Sequence, residues 1–517
     1  MINIFVASII FGIWSIILFF EKSIGLSILL FVAPFTIYII CKLEKKERVV
    51  NRKAKFLMIP ILLLSATYFI YNNKFFNIIN IWLIILLVAY MLYKLLNKDI
   101  KYDFSLITNT LKMYFKPFSF IEMTFDKLSS SFAERKKAKN KNGNTDRMKK
   151  IAKAIVITFP ILLVVIVLLA SADEVFGSIF ANIEEWITKI ILQIKIPELI
   201  GKVLLMALVS IYLLMFFTYI FDKYKMQKQE LKKRKEPKDN FTIKVILGTL
   251  NVVYVVFCAI QIQSLFMKHV DINYAQYARQ GFFQLMIVSI INLVMILIAK
   301  KSEKQDEKKS NIYINLMCIA MIIFTLIILV SSALRMYYYE SAYGYTMLRL
   351  LVYCAIFTEA VLLIPTIAYI LNIKINLPRV YLSVIITVYI CMNFANFDAI
   401  IAKRNVDRYV EKGKIDIEYL TKKTSTDAIP EIIRLEQLGG LDRLDQRALT
   451  RYINKIKVKL NEKDMDFRDF NLSKYNAKKL LEELDNKNGI KSLDEKEIRD
   501  MLETKDIINT LERRDII

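Results

Sequence analysis

The sequence predicts an all-α membrane protein, a polytopic bundle of about eleven transmembrane helices followed by a C-terminal soluble helical domain. Three observations support this. Hydrophobic residues make up 55% of the 517-residue chain. Long apolar runs separated by lysine-rich connectors fill residues 1 to about 400, whereas residues 403–517 contain no such run. Because lipid offers no partner to backbone N–H and C=O groups, runs of about 20 apolar residues must cross as helices.

The eleven predicted spans follow the apolar runs in order, and the third is the shortest. They are residues 2–20, 23–41, 56–71, 75–96, 151–172, 203–221, 242–266, 282–299, 312–337, 347–371 and 380–397. The first run begins almost at Met1 and lacks a small-residue cleavage site, which indicates a retained helix and not a removed signal peptide.

The connectors between the spans alternate between basic and nearly uncharged. Those at 42–55, 98–150, 222–241, 300–311 and 372–379 carry 35 Lys and Arg residues, whereas the alternate connectors carry seven. Short basic loops stay in the cytoplasm. The N-terminus is therefore expected in the cytoplasm and, with eleven spans, the C-terminus on the extracytoplasmic side. The abundance of Ile, Lys and Asn is typical of an AT-rich bacterial genome. Together with the spans, it predicts a multi-pass protein of the bacterial cytoplasmic membrane.

The formal net charge of +24 is concentrated in the basic connectors, which carry +20 of it. This distribution argues against nucleic acid as a partner, because the charge serves as an orientation signal. It predicts instead that membrane lipids with anionic headgroups bind the cytoplasmic face.

The sequence divides into four predicted segments. They are an N-terminal four-helix membrane segment (1–97), a basic cytoplasmic connector (98–150), a membrane core of seven helices (151–402) and an extracytoplasmic helical domain (403–517). In the connector, alternating apolar and polar residues over 104–132 predict an interfacial helix, and 134–150 predicts a mobile tether. The amphipathic pattern of 173–202 predicts a helix on the outer face of the bundle.

The C-terminal domain is predicted to be a compact set of short helices. Pro430 suits the first turn of a helix that opens near Thr426 and ends at Gly439-Gly440. Residues 471–484 and 492–511 are predicted to form further helices. Between them, one helix face is predicted to consist of Leu441, Leu444, Ala448, Tyr452, Ile456 and Leu460.

No pattern in the sequence indicates a metal, a cofactor or a catalytic centre. All five cysteines lie within or at the ends of spans, and the one histidine is His269, so neither a disulfide framework nor a zinc site is expected. Phosphate-binding glycine loops and dinucleotide fingerprints are also missing. The sequence therefore favours a non-enzymatic protein.

Polar residues inside spans give the first set of candidate site residues. Glu359 lies about twelve residues into the tenth span, where a charged side chain costs ~2.5–3.5 kcal/mol on insertion scales. Asn251, Tyr254 and Gln261, with Cys258, fall on one stripe of the seventh span. Glu359 could bind a proton or cation, or it could be a structural carboxyl that joins helices. The stripe could line a hydrated path or make interhelical hydrogen bonds.

Charged residues at the predicted outer face give the second set. Three arginines lie where the positive-inside rule disfavours cations, and carboxylates lie near them in sequence. Pairing would close the outer mouth of the bundle, whereas an open arginine fork would suit an anionic headgroup or a sugar phosphate. The set comprises Asp173, Glu174, Arg279, Arg335, Glu340, Arg349 and Asp398.

Several outer-face segments together resemble a known protein family. They are Ser-Ala-Asp at 171–173, Tyr-x-x-Tyr-x-Arg-x-Gly-Phe-Phe-Gln-Leu at 274–285, Tyr-Glu-x-Ala-Tyr-Gly-x-Thr-x-x-Arg-Leu at 339–350, residues 396–408 after the last span, and Asp-Phe-Asn-Leu-Ser at 469–473. As a set they resemble a bacterial polytopic membrane family known as a domain of unknown function. The resemblance covers roughly 150–480 and leaves 1–150 largely outside, and it implies no catalytic role.

Three function hypotheses of different classes follow. The first is a non-enzymatic protein that senses an envelope component or partner protein, or serves as an assembly scaffold. The second is a transporter or lipid translocase with a polar path near Glu359. The third is a membrane glycosyltransferase-like enzyme, which would need acidic catalysis at the outer face by residues such as Asp173.

Overall fold

A computed structural model describes residues 2–98, 100, 102, 104–133, 198–224, 240–266, 282–301, 308–371, 373–461 and 466–487. Every regular element in these ranges is a helix, and no strand occurs among them. The all-α fold class is therefore confirmed. The predicted fifth span and the predicted helices over 173–202 and 492–511 lie essentially outside the described residues, as does the tether at 134–150.

Seventeen α-helices are described, several of them extended by a short 3₁₀ or π turn. They are α1 Ile2–Phe19, α2 Leu26–Lys45, α3 Met58–Ile70, α4 Lys74–Leu96, α5 Phe104–Phe115, α6 Ile121–Ala133, α7 Glu198–Thr218, α8 Asn240–Phe266, α9 Phe282–Lys301, α10 Lys308–Tyr343, α11 Met347–Ile370, α12 Leu377–Phe394, α13 Phe397–Lys412, α14 Ile417–Lys423, α15 Ile429–Leu438, α16 Arg443–Asn461 and α17 Leu472–Lys487.

Nine helical stretches in the described part are long and apolar enough to cross a membrane, and the apolar part of α9, Gln284–Lys300, is shorter. Ten of the eleven predicted spans thus fall on described helices. Their outward faces carry large apolar side chains, such as Trp82 at 71% exposure and Ile364 at 67%. A water-soluble protein rarely exposes so much apolar surface, so these faces fit a lipid environment. The chain is a polytopic helical membrane protein.

The chain forms two compact units, and the first comprises residues 1–66, 80–228 and 467–469. In this unit α1 packs along α7. Gly12 permits the close approach, because a Cβ there would lie 1.9 Å from Oγ of Ser210. Aromatic rings fill the adjacent space, with Phe11 and Phe217 6.1 Å apart between centroids.

Arginine caps one helix end in the same unit. The guanidinium of Arg48 donates to the backbone carbonyls of Ile220 and Tyr224 at 3.1 and 2.5 Å. These carbonyls lie at the end of the π turn that extends α7, where carbonyls lack intrahelical partners. Helices α5 and α6 also belong to this unit, and the Tyr114 ring of α5 stacks on Phe216 of α7.

The second unit comprises residues 67–79, 229–466 and 470–517. Its membrane helices centre on α10, which packs against α8, α9 and α11, while α11 also packs against α12. Their shared interior is largely apolar and includes Leu247, Ile296, Met321 and Leu363.

Helices α13 to α17 of the second unit form a helical domain with its own core, which includes Ala402, Leu420, Ile432, Leu449 and Leu481. A short 3₁₀ turn, Thr426–Ala428, precedes α15, and Pro430 lies in the first turn of that helix, which ends before Gly439. These bounds agree with the predicted helix.

The predicted face of α16 is confirmed in part, because Leu460 is buried in the core of the domain and Leu441, Tyr452 and Ile456 pack against it. Leu444 is 75% exposed and Ala448 is exposed, whereas Leu449 and Ile453 are buried. Leu449 and Ile453 thus belong to the buried face in addition to the predicted residues. This face packs against α14, α15 and α17.

Candidate functional site

The helical domain holds the connector between α10 and α11 by its backbone. Asn405 of α13 accepts from the Tyr345 N–H and donates to the Tyr345 carbonyl, both at 2.9 Å. Arg408 donates to the Ala342 carbonyl at 2.6 Å, and the Tyr419 hydroxyl accepts from the Met347 N–H at 2.7 Å. The position of residues 342–347 is therefore fixed by side chains of the domain.

Gly344 makes this clamp possible. Its φ is +83°, in the region that favours glycine, and a Cβ would lie 2.6 Å from Oδ1 of Asn405. Asn405 can therefore approach the connector this closely only because residue 344 has no side chain.

The connector between α3 and α4 is held by the same domain. Asn72 donates its backbone N–H to Oδ2 of Asp427 at 2.8 Å and its amide to Thr426 at 3.1 Å. Asn471, 1% exposed, donates to the carbonyls of Tyr68 and Tyr71 at 2.8 and 2.9 Å. We call the connectors 71–73 and 342–347, with the domain side chains that bind them, the junction.

Two buried carboxyls lie within the junction, Asp398 at the start of α13 and Asp427 in the 3₁₀ turn before α15. Ser425 joins them, because its N–H donates to Asp398 at 3.1 Å and its hydroxyl donates to Asp427 at 2.9 Å. Asn73 also hydrogen-bonds Asp398, and Ser473 hydrogen-bonds Asp427. Among the residues that the structure describes, neither carboxyl forms an ion pair.

Burial without a cation raises the pKa of both carboxyls above the ordinary value of 3.8. Hydrogen bonds from Ser425 and Asn73 lower the pKa of Asp398, while the nearby Asp427 carboxyl raises it. The hydrogen bonds to Asp427 likewise lower its pKa but do not offset the burial. The phenols of Tyr71, Tyr419 and Tyr452 lie close enough to these carboxyls for the negative charge to raise the pKa of each phenol.

These shifts predict a junction that is more stable in acid. A carboxyl with a raised pKa in the fold binds its proton more tightly when folded, so its contribution is lost as pH rises through the titration range. We expect the unfolding temperature of the purified protein to fall, as the pH rises above the ordinary carboxyl pKa of about 4, more steeply than that of the Asp398→Asn/Asp427→Asn variant. Asp442→Asn, at an exposed carboxyl that caps α16, is the control and should follow the wild type. Parallel curves for wild type and double variant would contradict the prediction.

Two predicted outer-face residues, Glu340 and Arg349, flank the 342–347 connector. Glu340 is 4% exposed and accepts hydrogen bonds from the hydroxyls of Tyr345 and Tyr353. Burial and the bond to Glu340 raise the pKa of Tyr345 to about 12. Arg349 donates to the Gly344 carbonyl, and its guanidinium lies 4.3 Å from the centre of the Tyr339 ring.

The structure brings part of the predicted outer-face set together. In the described part of the chain Arg349 forms no ion pair with Glu340 or Asp398, although the Tyr419 phenol lies close to both Arg349 and Asp398. Arg335 lies half-buried on α10, five residues before Glu340. The other three, Asp173, Glu174 and Arg279, lie outside the described residues.

Within the membrane helices, Glu359 of α11 is 6% exposed. Its Oε2 lies 2.9 Å from the Ser289 hydroxyl of α9, and its Oε1 has no partner among the described residues. The same hydroxyl lies 2.8 Å from the Met286 carbonyl. The Ser289 hydroxyl therefore lies within donating distance of both oxygens, and its contact with Glu359 links α9 to α11.

The predicted polar stripe of α8 comprises Asn251, Tyr254, Cys258 and Gln261, and the structure gives contacts for its first residues. Asn251 is buried and donates to the Leu247 and Met317 carbonyls, while its Oδ1 has no partner in the described part. Tyr254 is buried against Phe324, with 6.3 Å between ring centres. The side chain of Gln261 is not among those that the structure describes. A groove of about 620 Å³ between α11 and α12, lined in part by Phe357, Val361 and Arg379, contains none of these residues.

Sequence reasoning identified Asp398 but missed Asp427, Asn72 and Asn471. Two signals were present. Ser425-Thr426-Asp427 precedes the helix containing Pro430, as capping residues do, and Asn471 lies in a segment quoted for the family resemblance. Three of those segments, 339–350, 396–408 and 469–473, meet at the junction. The connector 71–73 offered no signal, because three polar residues between spans are common.

The fold and the junction define a polytopic helical membrane protein whose C-terminal helical domain binds two connectors of its membrane helices. The chain belongs to the DUF4153 family, described as a domain of unknown function, which matches residues 58–435. No curated protein and no solved structure matches the chain.

The extent of the family match corrects the sequence expectation. The match begins at the start of α3 and includes α4, α5 and α6, so residues 1–150 do not lie largely outside the family. It ends at 435, within α15, and not near 480. The match therefore includes both Asn72 and its partners Thr426 and Asp427, whereas Asn471 lies beyond its end.

Proposed function

We propose that this protein is a non-enzymatic scaffold of the cell envelope that presents its helical domain, α13 to α17, to an envelope component on the extracytoplasmic side. The observation that carries the proposal is the junction. Buried side chains of the domain bind two connectors through backbone hydrogen bonds, so the domain is fixed to the membrane helices and does not hang from a flexible tether. A fixed domain suits a protein that must hold a binding surface at a defined place.

The location of the domain is argued from charge. The two connectors that bind it, 71–73 and 342–347, contain no Lys or Arg. The connectors with most Lys and Arg lie in the alternate positions along the chain. By the positive-inside rule the poorly charged connectors, and the domain bound to them, belong on the extracytoplasmic side.

The side of the membrane can be tested by labelling. Leu444→Cys places a thiol at a 75% exposed position of α16, and a membrane-impermeant maleimide should label it on intact cells. The matched control is Ser473→Cys in the same domain. Ser473 is 8% exposed and hydrogen-bonds Thr426, so a thiol there should react only after denaturation. Labelling of Leu444→Cys only after lysis would place the domain in the cytoplasm and overturn the proposal.

A complementation experiment tests the role of the domain. In cells that lack the protein, the full chain should restore envelope-dependent growth, whereas a chain ending at residue 402 should not, at equal abundance in the membrane. Full rescue by the shorter chain would show that the domain is dispensable.

The two other hypotheses rest on fewer described contacts. A transporter or translocase would use Glu359 and Asn251. The buried Oε1 of Glu359 and Oδ1 of Asn251 have no hydrogen-bond partner among the residues that the structure describes. A glycosyltransferase-like enzyme would depend on residues such as Asp173, which lies outside the described residues. Neither hypothesis is supported by a set of described contacts as extensive as the junction.

A further inference from the structure

Helix α16 carries five cations at intervals of four residues, Arg443, Arg447, Arg451, Lys455 and Lys459. All five side chains are exposed. We call this set the basic stripe. Successive members are 6 Å apart along the axis at a rise of about 1.5 Å per residue.

The basic stripe lies opposite the buried edge of α16. Leu449, Ile453 and Leu460 are the buried residues of this helix. At about 100° per residue, Arg451 lies about 200° around the helix from Ile453. The stripe therefore faces away from the core of the domain and toward whatever surrounds it.

No acidic group in the described part of the chain neutralises the stripe. None of its five members forms an ion pair or a hydrogen bond with another described residue, whereas Lys457 of the same helix pairs with Asp485. Asp445, the acidic residue within α16, is not three or four residues from any member. The paired lysine shows that the domain does supply carboxylates where α16 packs.

Such an arrangement opposes the stability of the helix. Like charges four residues apart destabilise a helix, and the stripe contains four successive pairs of this kind. Solubility does not explain the spacing, since mixed charges serve it as well. A linear array of unpaired cations instead complements a linear array of anions.

We propose that the basic stripe of α16 binds an extended anionic polymer of the envelope that carries phosphodiester groups along its length. The arginines supply planar donors that match phosphate oxygens, and the two lysines extend the positive surface toward the end of the helix. The inference rests on the proposed extracytoplasmic presentation of the domain and names the chemistry of its partner.

The test uses the full-length protein in an uncharged detergent and a fluorescently labelled poly(glycerol phosphate) chain. Wild-type binding should weaken as salt increases, because polymer-bound counterions are released. Arg447→Gln/Arg451→Gln should weaken binding by about tenfold and lower the slope of log K against log salt by about two. Its unfolding temperature should equal or exceed that of the wild type, because like-charge pairs are removed.

The matched control is Lys412→Gln/Lys414→Gln, which removes two exposed cations elsewhere in the domain and should bind like the wild type. The proposal would be overturned if the stripe variant bound the polymer as tightly as the wild type, or if the control variant lost as much affinity as the stripe variant. Displacement of the polymer by monomeric glycerol phosphate at the same phosphate concentration would also do so. Stripe-dependent binding to vesicles of anionic lipid, without binding to the polymer, would assign the stripe to a membrane surface instead.

The outcome is separable from that of the proposed function. Labelling of Leu444→Cys on intact cells together with unchanged polymer binding by the stripe variant would remove only the inference about the stripe. Labelling only after lysis would remove the extracytoplasmic role, whatever the polymer measurements show.

Discussion

Replacing Gly344 by alanine is expected to destabilise the junction by about 2–5 kcal/mol. A side chain at φ +83° costs roughly 1–2 kcal/mol in backbone strain. The new Cβ would also lie 2.6 Å from Oδ1 of Asn405, so Asn405 must withdraw from the Tyr345 backbone. Losing such buried hydrogen bonds costs about 1–3 kcal/mol. Hydrogen exchange should show faster exchange of the Tyr345 and Met347 amides in full-length protein.

Gly413→Ala is the matched control for this change. Gly413 ends α13 with φ +65°, and no atom lies within 4 Å of the position of its Cβ. Alanine there should cost only the backbone strain, and amide hydrogen exchange at residues 342–347 should not change. Equal effects of the two substitutions on that connector would mean that the Asn405 contact does not hold it.

Replacing Asn471 by alanine is expected to cost about 3 kcal/mol, among the largest effects of a single substitution in the domain. Asn471 accepts from the Lys474 N–H at 3.0 Å and so caps α17, a contribution of about 1 kcal/mol. It also donates to the Tyr68 and Tyr71 carbonyls, whose hydrogen bonds would be lost in a buried site. The expected result is a lower unfolding temperature and faster exchange at both 71–73 and the start of α17.

Asn471→Asp separates the two roles of this side chain. Aspartate keeps the acceptor that caps α17 but cannot donate to the Tyr68 and Tyr71 carbonyls. Its second carboxylate oxygen would instead repel these carbonyl oxygens. We therefore expect protection at the start of α17 to persist while the connector 71–73 exchanges faster. Wild-type protection at 71–73 in this variant would show that the amide donors contribute nothing there.

The membrane helices could be predicted from the sequence, because a span is a local property. About twenty apolar residues suffice to define one, and ten predicted spans fall on described helices. The helix around Pro430 was equally accessible, since its proline and glycines mark its ends. The buried face of α16 was predicted only in part. Tyr452, Ile456 and Leu460 contact the core as expected, but the burial of Leu449 and Ile453 depends on how the neighbouring helices pack.

The junction lies beyond sequence reasoning for a different reason. Asn72 and its partner Asp427 are 355 residues apart, and nothing in the three-residue connector marks it as a binding element. The sequence placed Asp398 in a network of arginines at the outer face. The structure instead surrounds its carboxyl with the uncharged donors Ser425 and Asn73. Only the packing of α13 against the turn before α15 determines that arrangement.

The long separation between the two sides of the junction also bears on how the protein is made. Tyr68 and its partner Asn471 are 403 residues apart. At about 5–20 residues per second, the ribosome supplies Asn471 roughly 20–80 seconds after the hairpin of α3 and α4 has left it. Until then the Tyr68 and Tyr71 carbonyls lack the hydrogen bonds that Asn471 donates, and a chain terminated before residue 471 never forms them.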